Sequence, residues 1–341
     1  MSGTSLDGVD LVCVDFDTDT LSDFKIKCSE TVKYSSEWTS RLRNGVHETK
    51  QELVHLDRAY GELLAECIVS FVEKYQLTKV DFVASHGHTI LHAPAEGVTL
   101  QIGNGEIMAK NTGIKVICDF RTQDVQLGGQ GAPLVPIGDA LLFANYDACL
   151  NLGGFSNISY TKGGKRIAFD ISPVNIVLNH YTRQLGLAYD NEGRIAASGV
   201  VHQQLLMQLN EVEFYKKAAP KSLGLEWVQA QVFPLIDSFN LSVKDILRTC
   251  IEHMAIQISK VLQGREAVLV TGGGVFNLFL MQQISELSTI EICIPSVEIV
   301  EYKEALIFAL LGVLRDENQV NCLSSVTGAS RDHSAGAVFH P

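Results

Sequence analysis

No C-x-x-C pair, no G-x-x-x-x-G-K-[ST] string and no apolar run near the ~18 residues that a bilayer crossing needs occur in this chain. The missing P-loop excludes that route to nucleotide binding. The eight cysteines (Cys13, Cys28, Cys67, Cys118, Cys149, Cys250, Cys293, Cys322) are scattered and mostly set in apolar runs. They read as buried reduced thiols rather than a disulfide framework or a zinc site. No basic stretch followed by an apolar segment opens the sequence, and no span crosses a membrane, so a cytoplasmic location is expected. Basic residues are outnumbered, 27 Lys and Arg against 39 Asp and Glu, and the formal net charge is −12. A polyanionic partner needs a basic field, which argues against nucleic acid and against an anionic membrane surface. A small anion is not excluded, because glycine turns and helix starts supply positive potential from backbone N–H groups.

What is present suits a globular protein with a buried core. Apolar residues make up 46% and charged residues 19%, and 341 residues suit two lobes of about 100–200 each with a cleft between them. No internal repeat, low-complexity segment or linker is evident. Leu11 to Val14 and Phe24 to Val32 read as strands joined by a polar turn, Asp17 to Asp23, a meander opening a mixed sheet. Apolar residues recur at helical spacing from Lys50 to Tyr75 and from Ser242 to Leu262, the latter with Ser242 and Asp245 as a capping pair. Val80 to Ser85, Val116 to Cys118, Ala148 to Leu152, Arg166 to Phe169 and Ala267 to Val270 read as short strands. Helices are expected over Pro173 to Leu185, Asn277 to Ile284 and Glu304 to Leu314. The pattern restarts near Gly128 to Pro133, giving a first lobe of 1–127 with about 325–341 and a second of 128–324.

Three small-residue turns beside strands carry the chemistry. In Gly3-Thr4-Ser5-Leu6-Asp7-Gly8-Val9-Asp10 the hydroxyls and N–H groups suit phosphate oxygens, and Asp7 or Asp10 can hold magnesium through water. The same string also fits a plain strand connection. Gly272-Gly273-Gly274, between a Val-rich strand and the helix after Asn277, lets backbone approach a negative group, or serves tight helix–strand packing. Asn151 to Asn157, with Gly153 and Gly154, admits the same two readings. His86, His88 and His92 have metal-ligand spacing, but without a carboxylate or cysteine beside them they fit a polar loop lining a pocket better. Asp170, after a strand and before Pro173, is either a base at a strand tip or an N-cap. Arg121 suits a substrate carboxylate, or a salt bridge with Asp124. Glu304 is either a first-turn acid or a second cleft carboxylate.

These strings, in order through nearly the whole chain, resemble the anhydro-N-acetylmuramic acid kinases of the sugar kinase/heat-shock 70/actin superfamily. Gly3 to Asp10 is similar to their ATP-binding string and Ser85-His86-Gly87-His88-Thr89-Ile90-Leu91-His92 to their sugar-side loop. Asp119-Phe120-Arg121 and Gly129-Gln130-Gly131-Ala132-Pro133-Leu134 are similar to segments highly specific to them, and Asn151 to Asn157, Pro220-Lys221-Ser222, Gly272 to Asn277, Glu304-Ala305 and Val326-Thr327-Gly328-Ala329 also match. The resemblance implies a two-lobed α/β actin-like fold, a duplicated ribonuclease H-like plan with a central cleft, that takes ATP and magnesium and forms a homodimer. It implies a double reaction: water opens the 1,6-anhydro ring at the anomeric carbon while the released 6-oxygen takes the γ-phosphoryl of ATP. The product is N-acetylmuramic acid 6-phosphate, in cell-wall recycling. It makes Asp170 the base, with Glu304, Thr89, Arg121 and Gln130 on the sugar side, and the three glycine strings, with Asn277, on the nucleotide. A kinase for another sugar, or a catalytically silent sugar-binding homologue, is the alternative.

Three departures carry expectations. Phe169-Asp170-Ile171-Ser172-Pro173-Val174-Asn175 stands where the family reads F-D-T-G-P-G-N, so backbone approach near Ser172 and Val174 should differ, and Asn179 replaces a usual Asp. His88 stands where Gln is usual, making sugar contacts different or pH-sensitive. The family has a strand before its M-S-G-T-S, whereas this chain begins at Met1; either the start lies upstream or the first hairpin is incomplete.

Overall fold

The computed structural model describes residues 1–3 and 6–341. It is α/β, with mixed sheets, and falls into two compact units: Met1–Leu142 with Tyr302–Pro341, and Phe143–Glu301.

In the first unit, Gly8–Phe16 and Phe24–Lys33 form an antiparallel ladder. Its turn is set by Asp17, whose Oδ1 accepts from the N–H of Asp19 and Thr20 at 2.9 and 3.2 Å. Among the described residues these two strands pair only with each other, so the meander does not open a larger sheet. A second sheet has Val116–Cys118 in the middle, parallel to Val83–Ser85 and antiparallel to Ala337–Phe339. His88–Ala93 and Val98–Ile102 make a hairpin that was not evident from the sequence. The long helix Lys50–Lys74 begins at a capping box, Thr49 with Glu52, and lays Leu53, Leu56, Tyr60, Leu64 and Ile68 into the core. The Val297–Asp316 helix is fixed to Val135–Leu142 by a buried ion pair, Lys303 Nζ to Asp139 Oδ1 at 2.6 Å.

The second unit is built on a five-stranded sheet in the order Glu291–Cys293, Ala267–Thr271, Ala148–Leu152, Phe155–Lys162, Lys165–Pro173. The first three strands run parallel, Phe155–Lys162 turns back antiparallel to Ala148–Leu152, and Lys165–Pro173 turns back again antiparallel to Phe155–Lys162. The Val243–Leu262 helix, capped by Ser242, buries Ile246, Cys250, Met254 and Ile258 against it. Two boundaries differ from expectation. The strand begun at Lys165 runs on through Asp170 to Pro173, and the helix starts only at Asn175, so Pro173 ends a strand rather than opening a helix. The ladder with Phe155–Lys162 is what extends it, since Phe155 pairs with Pro173. All eight thiols are free; Cys67, Cys118, Cys149, Cys250 and Cys322 are buried, while Cys13, Cys28 and Cys293 are partly exposed.

Candidate active-site residues

Gly153 and Gly154 turn the chain from the third strand of the five-stranded sheet into the fourth, with the Gly153 N–H donating to the Phe155 carbonyl at 3.0 Å. The Gly154 carbonyl accepts from Val174 and Ile176, and the Gly153 carbonyl from Asn175, so this turn also caps the Asn175–Thr182 helix. Next to it, the three glycines after Thr271 are not equivalent. Gly272 has φ +85°, and a Cβ there would lie 2.5 Å from Asn151 Oδ1 and 2.8 Å from the Leu152 carbonyl oxygen. A Cβ on Gly274 would meet Leu152 Cβ at 2.7 Å, whereas one on Gly273 would meet nothing within 4 Å. Gly272 and Gly274 are thus glycines because strand and turn touch, and Gly273 presents open backbone. Both parallel strands end here, and carboxyl ends of parallel strands are where α/β sheets take ligands. The helix does not start at the glycines: Gly273–Phe276 is a short 3₁₀ turn, and Asn277, 8% exposed, caps Leu278–Leu287 by accepting from Leu280 N–H at 3.0 Å.

Asp170 lies in mid-strand, so neither the strand-tip nor the N-cap reading describes it. Pairing runs Ser156 to Ser172 and then Asn157 to Asp170, leaving Ile171 as a bulge. A bulge of this kind re-aims the neighbouring side chain. Ile171 is 2% exposed and enters the core; the half-buried Asp170 carboxyl instead accepts from the Leu223 N–H at Oδ2, 2.7 Å away. Its backbone N–H bonds the Lys221 carbonyl at 3.0 Å, so the segment after Pro220 runs beside the strand and holds the acid. Burial raises the Asp170 pKa, opposed by the Leu223 N–H. Among the described residues Oδ1 has no hydrogen-bond partner. Ser172 is buried against Ser156, their hydroxyls 3.1 Å apart, and Val174 is fully buried. The substituted side chains of this segment therefore face the core.

In the first unit, Arg121 donates from Nη1 to the Gly131 carbonyl at 2.6 Å and from Nε to His86 Nε2 at 3.0 Å. It forms no ion pair with Asp124 among the described residues. Burial, and then the nearby Arg121 charge, push the His86 pKa well down; the neutral ring receives Arg121 on Nε2 and places Nδ1 at 3.0 Å from the Gly87 carbonyl, with its edge on Phe308. The Arg121 pKa is lowered by burial against the pull of Glu304. Glu304 is the eighth residue of Val297–Asp316, counting from 297, so it is not a first-turn acid. The residue as a whole is exposed, but desolvation of its carboxyl by the surrounding protein raises its pKa against the opposing pull of Arg121 and Lys303. Thr89 Oγ1 accepts from Gln101 Nε2 at 3.3 Å, and the Gln130 side chain is exposed while its N–H binds the Thr327 carbonyl at 2.8 Å. His88 Nδ1 pairs with Ser2 Oγ and His92 Nδ1 with Thr99 Oγ1, so the three histidines do not converge on one point.

The phosphate-type string divides. The Leu6 N–H donates to the Gly3 carbonyl at 3.3 Å, Asp7 is exposed, and Gly8, Val9 and Asp10 already belong to a strand. Val9 packs in the core, and Asp10 Oδ1 accepts from Thr31 Oγ1 at 2.6 Å. Thr4 and Ser5 lie outside the described residues.

A family model described as "Anhydro-N-acetylmuramic acid kinase" matches residues 1–341. The chain belongs to that family. A curated relative of that name from Shewanella halifaxensis is 35% identical, covering 100% of this chain and 97% of its own, and one from Shewanella sp. (strain MR-7) is 37% identical over 99% and 97%. Among solved structures, a ROK family glucokinase from Streptomyces griseus in complex with glucose and AMPPNP aligns over 84% of this chain and 90% of its own, at 11% identity and TM-score 0.36. Anhydro-N-acetylmuramic acid kinases are ATP-dependent phosphotransferases of cell-wall recycling with an alcohol acceptor. Within this member, sequence reasoning did not pick out His86 as the partner that orients Arg121, nor the segment from Lys221 to Leu223 that holds Asp170. The Pro220-Lys221-Ser222 motif was the available signal for the second.

Proposed function

We propose that this chain opens 1,6-anhydro-N-acetylmuramic acid with water and phosphorylates the freed 6-oxygen from ATP. The observation that carries it is Asp170: a half-buried carboxyl with one oxygen fixed by a backbone donor, the other open, and a pKa raised toward the working range of a base. Asp170 takes a proton from water as the oxygen bonds to the anomeric carbon. The C1–O6 bond breaks, and O6 accepts the γ-phosphoryl, releasing ADP. Asp170 is the base, and Gly153, Gly154 and Gly272 to Asn277 offer backbone to the nucleotide. Arg121 suits the lactyl carboxylate, Glu304, Thr89 and Gln130 suit the ring, and the string Gly3 to Asp10 suits phosphates.

Magnesium fits this donor set. Asp7 is an exposed hard oxygen donor, and this ion keeps several waters while binding one or two carboxylates and phosphate oxygens. Asp7 would hold it, and bound there it would neutralise phosphate charge. The same reading extends to a cytoplasmic homodimer, whose stoichiometry light scattering on the purified chain decides.

The test is ADP release with ATP, magnesium and the anhydro sugar, beside N-acetylmuramic acid and N-acetylglucosamine. Turnover with the anhydro sugar alone is expected, and Asp170→Asn should abolish it while ATP still binds. Turnover with a control sugar only, or silence with all three, overturns the assignment.

A further inference from the structure

Asp124 lies in the short helix Thr122–Gln126 and is 0% exposed. Its Oδ2 accepts from the Gly131 N–H at 2.7 Å, holding the Gly129 to Gly131 loop whose carbonyl receives Arg121. Its Oδ1 faces a different group of side chains: Thr327 Oγ1 at 2.7 Å, Cys322 Sγ at 3.1 Å and His333 Nε2 at 3.6 Å. Cys322 and His333 are 1% and 6% exposed, and they sit opposite each other across an antiparallel bridge, with N–H to carbonyl bonds of 3.1 and 3.2 Å. The His333 ring places Nδ1 3.2 Å from the Arg331 carbonyl, while its buried Nε2 makes no hydrogen bond and points at Asp124.

We propose that Asp124 Oδ1, Cys322 Sγ and His333 Nε2 form a binding site for a divalent metal ion of the zinc class. One oxygen, one sulfur and one imidazole nitrogen lie within 4.8 Å of one another. Around a tetrahedral zinc, with Zn–O and Zn–N of about 2.0 Å and Zn–S of about 2.3 Å, the O–N and O–S edges come to roughly 3.3 and 3.5 Å. The observed 3.6 and 3.1 Å lie within about 0.4 Å of them, and the sulfur–nitrogen edge, at most 4.8 Å, has to close toward the same range. Donor type favours zinc over magnesium, since a thiolate and an imidazole suit a borderline-soft ion. Charge closes as well. Binding releases the Cys322 thiol proton, and a dication with a carboxylate, a thiolate and a neutral imidazole sums to zero, which a fully buried site requires. The Arg331 carbonyl, bonded from Nδ1–H, fixes the tautomer that leaves Nε2 as the donor. Thr327 Oγ1 or a water completes the set. The ion acts as a clamp rather than a reactant: it ties the chain around Cys322 and His333 to the carboxylate that holds the Gly131 loop and, through it, Arg121.

The test uses the purified full chain, stripped with a chelator and then given one equivalent of zinc or cobalt. The expected result is about one zinc retained per chain after desalting, a thiolate-to-cobalt charge-transfer band in the cobalt form, and a higher thermal midpoint with zinc. Cys322→Ser and His333→Ser, checked for native near-ultraviolet circular dichroism, should each cut retained zinc at least about tenfold and remove the midpoint shift. A cobalt spectrum of wild type without the charge-transfer band, no zinc retention by folded wild type, or undiminished retention in both variants overturns the site. The wild-type spectrum decides even where a variant fails to fold.

Discussion

Replacing each of the three consecutive glycines by alanine separates packing from ligand approach, because their surroundings differ. At Gly272 the backbone has φ +85° and ψ 157°, a region that essentially only glycine occupies, costing on the order of 1–3 kcal/mol for another residue. The added Cβ would also press on Asn151 Oδ1 and the Leu152 carbonyl, at 2.5 and 2.8 Å, and overpacking of that kind costs about 1–3 kcal/mol more. Gly272→Ala should therefore lose roughly 2–6 kcal/mol, a large share of the ~5–15 kcal/mol of a native domain. Gly274→Ala meets Leu152 at 2.7 Å without an unusual φ, so about 1–3 kcal/mol is expected. Gly273→Ala meets nothing within 4 Å and has no positive φ, so stability should hold or rise by up to about 1 kcal/mol through a less flexible unfolded chain. Its effect should fall on function: the methyl occupies the one open face of the turn, raising the KM for ATP.

Thermal melts and urea titrations read the first quantity, and ATP saturation curves the second. For a unit of this size 1 kcal/mol moves the midpoint by roughly 2–4 °C, so Gly272→Ala should melt at least ~4 °C lower. The reasoning fails if Gly273→Ala destabilises as much as Gly272→Ala. It fails equally if Gly273→Ala leaves the KM for ATP unchanged, since the open backbone would then face no nucleotide.

Four further outcomes follow. As the proposed base Asp170 must be ionised, and burial raises its pKa, so turnover should fall as pH drops through a value above the ordinary aspartate range; a limb at or below that range contradicts the burial argument. The same shift means that the folded state holds its proton to higher pH than the unfolded chain, so Asp170 opposes folding above that window, and Asp170→Asn should melt no lower than wild type at neutral pH. His86→Ala removes the acceptor of Arg121 Nε, so the KM for the anhydro sugar should rise about tenfold while the KM for ATP stays put, as comparison of the two saturation curves shows. Lys303→Ala deprives the buried Asp139 carboxylate of this ammonium, and a loss of about 3–5 kcal/mol in urea unfolding is expected, with less in the double variant Lys303→Met/Asp139→Leu.

How much of this was legible depended on the range of the forces involved. The Lys50–Lys74 and Val243–Leu262 helices were readable because period, cap and length agree locally. The hairpin from Gly8 to Lys33 was readable because its turn is self-contained around Asp17. The end of the Asp170 strand was not, since what carries it past Phe169 is a ladder with Phe155–Lys162 and a bulge at Ile171. Local pattern saw a proline and a helix start. The acid's type was legible, its aim was not: the Leu223 N–H that fixes it lies 53 residues away. Likewise three glycines could be read as a turn, but only Leu152 and Asn151, from another strand, distinguish the glycine that faces outward from the two that pack. His86 shows the same limit. The local string places it in a polar loop, but that burial and the Arg121 charge hold it neutral and make it an acceptor comes from the fold. Nothing in its local string carries that information, and Cys322, 198 residues from Asp124, escapes for the same reason. Residue chemistry along the chain names the reagents, but whether a carboxylate acts as base, cap or clamp is decided by which distant backbone N–H or side chain occupies its second oxygen.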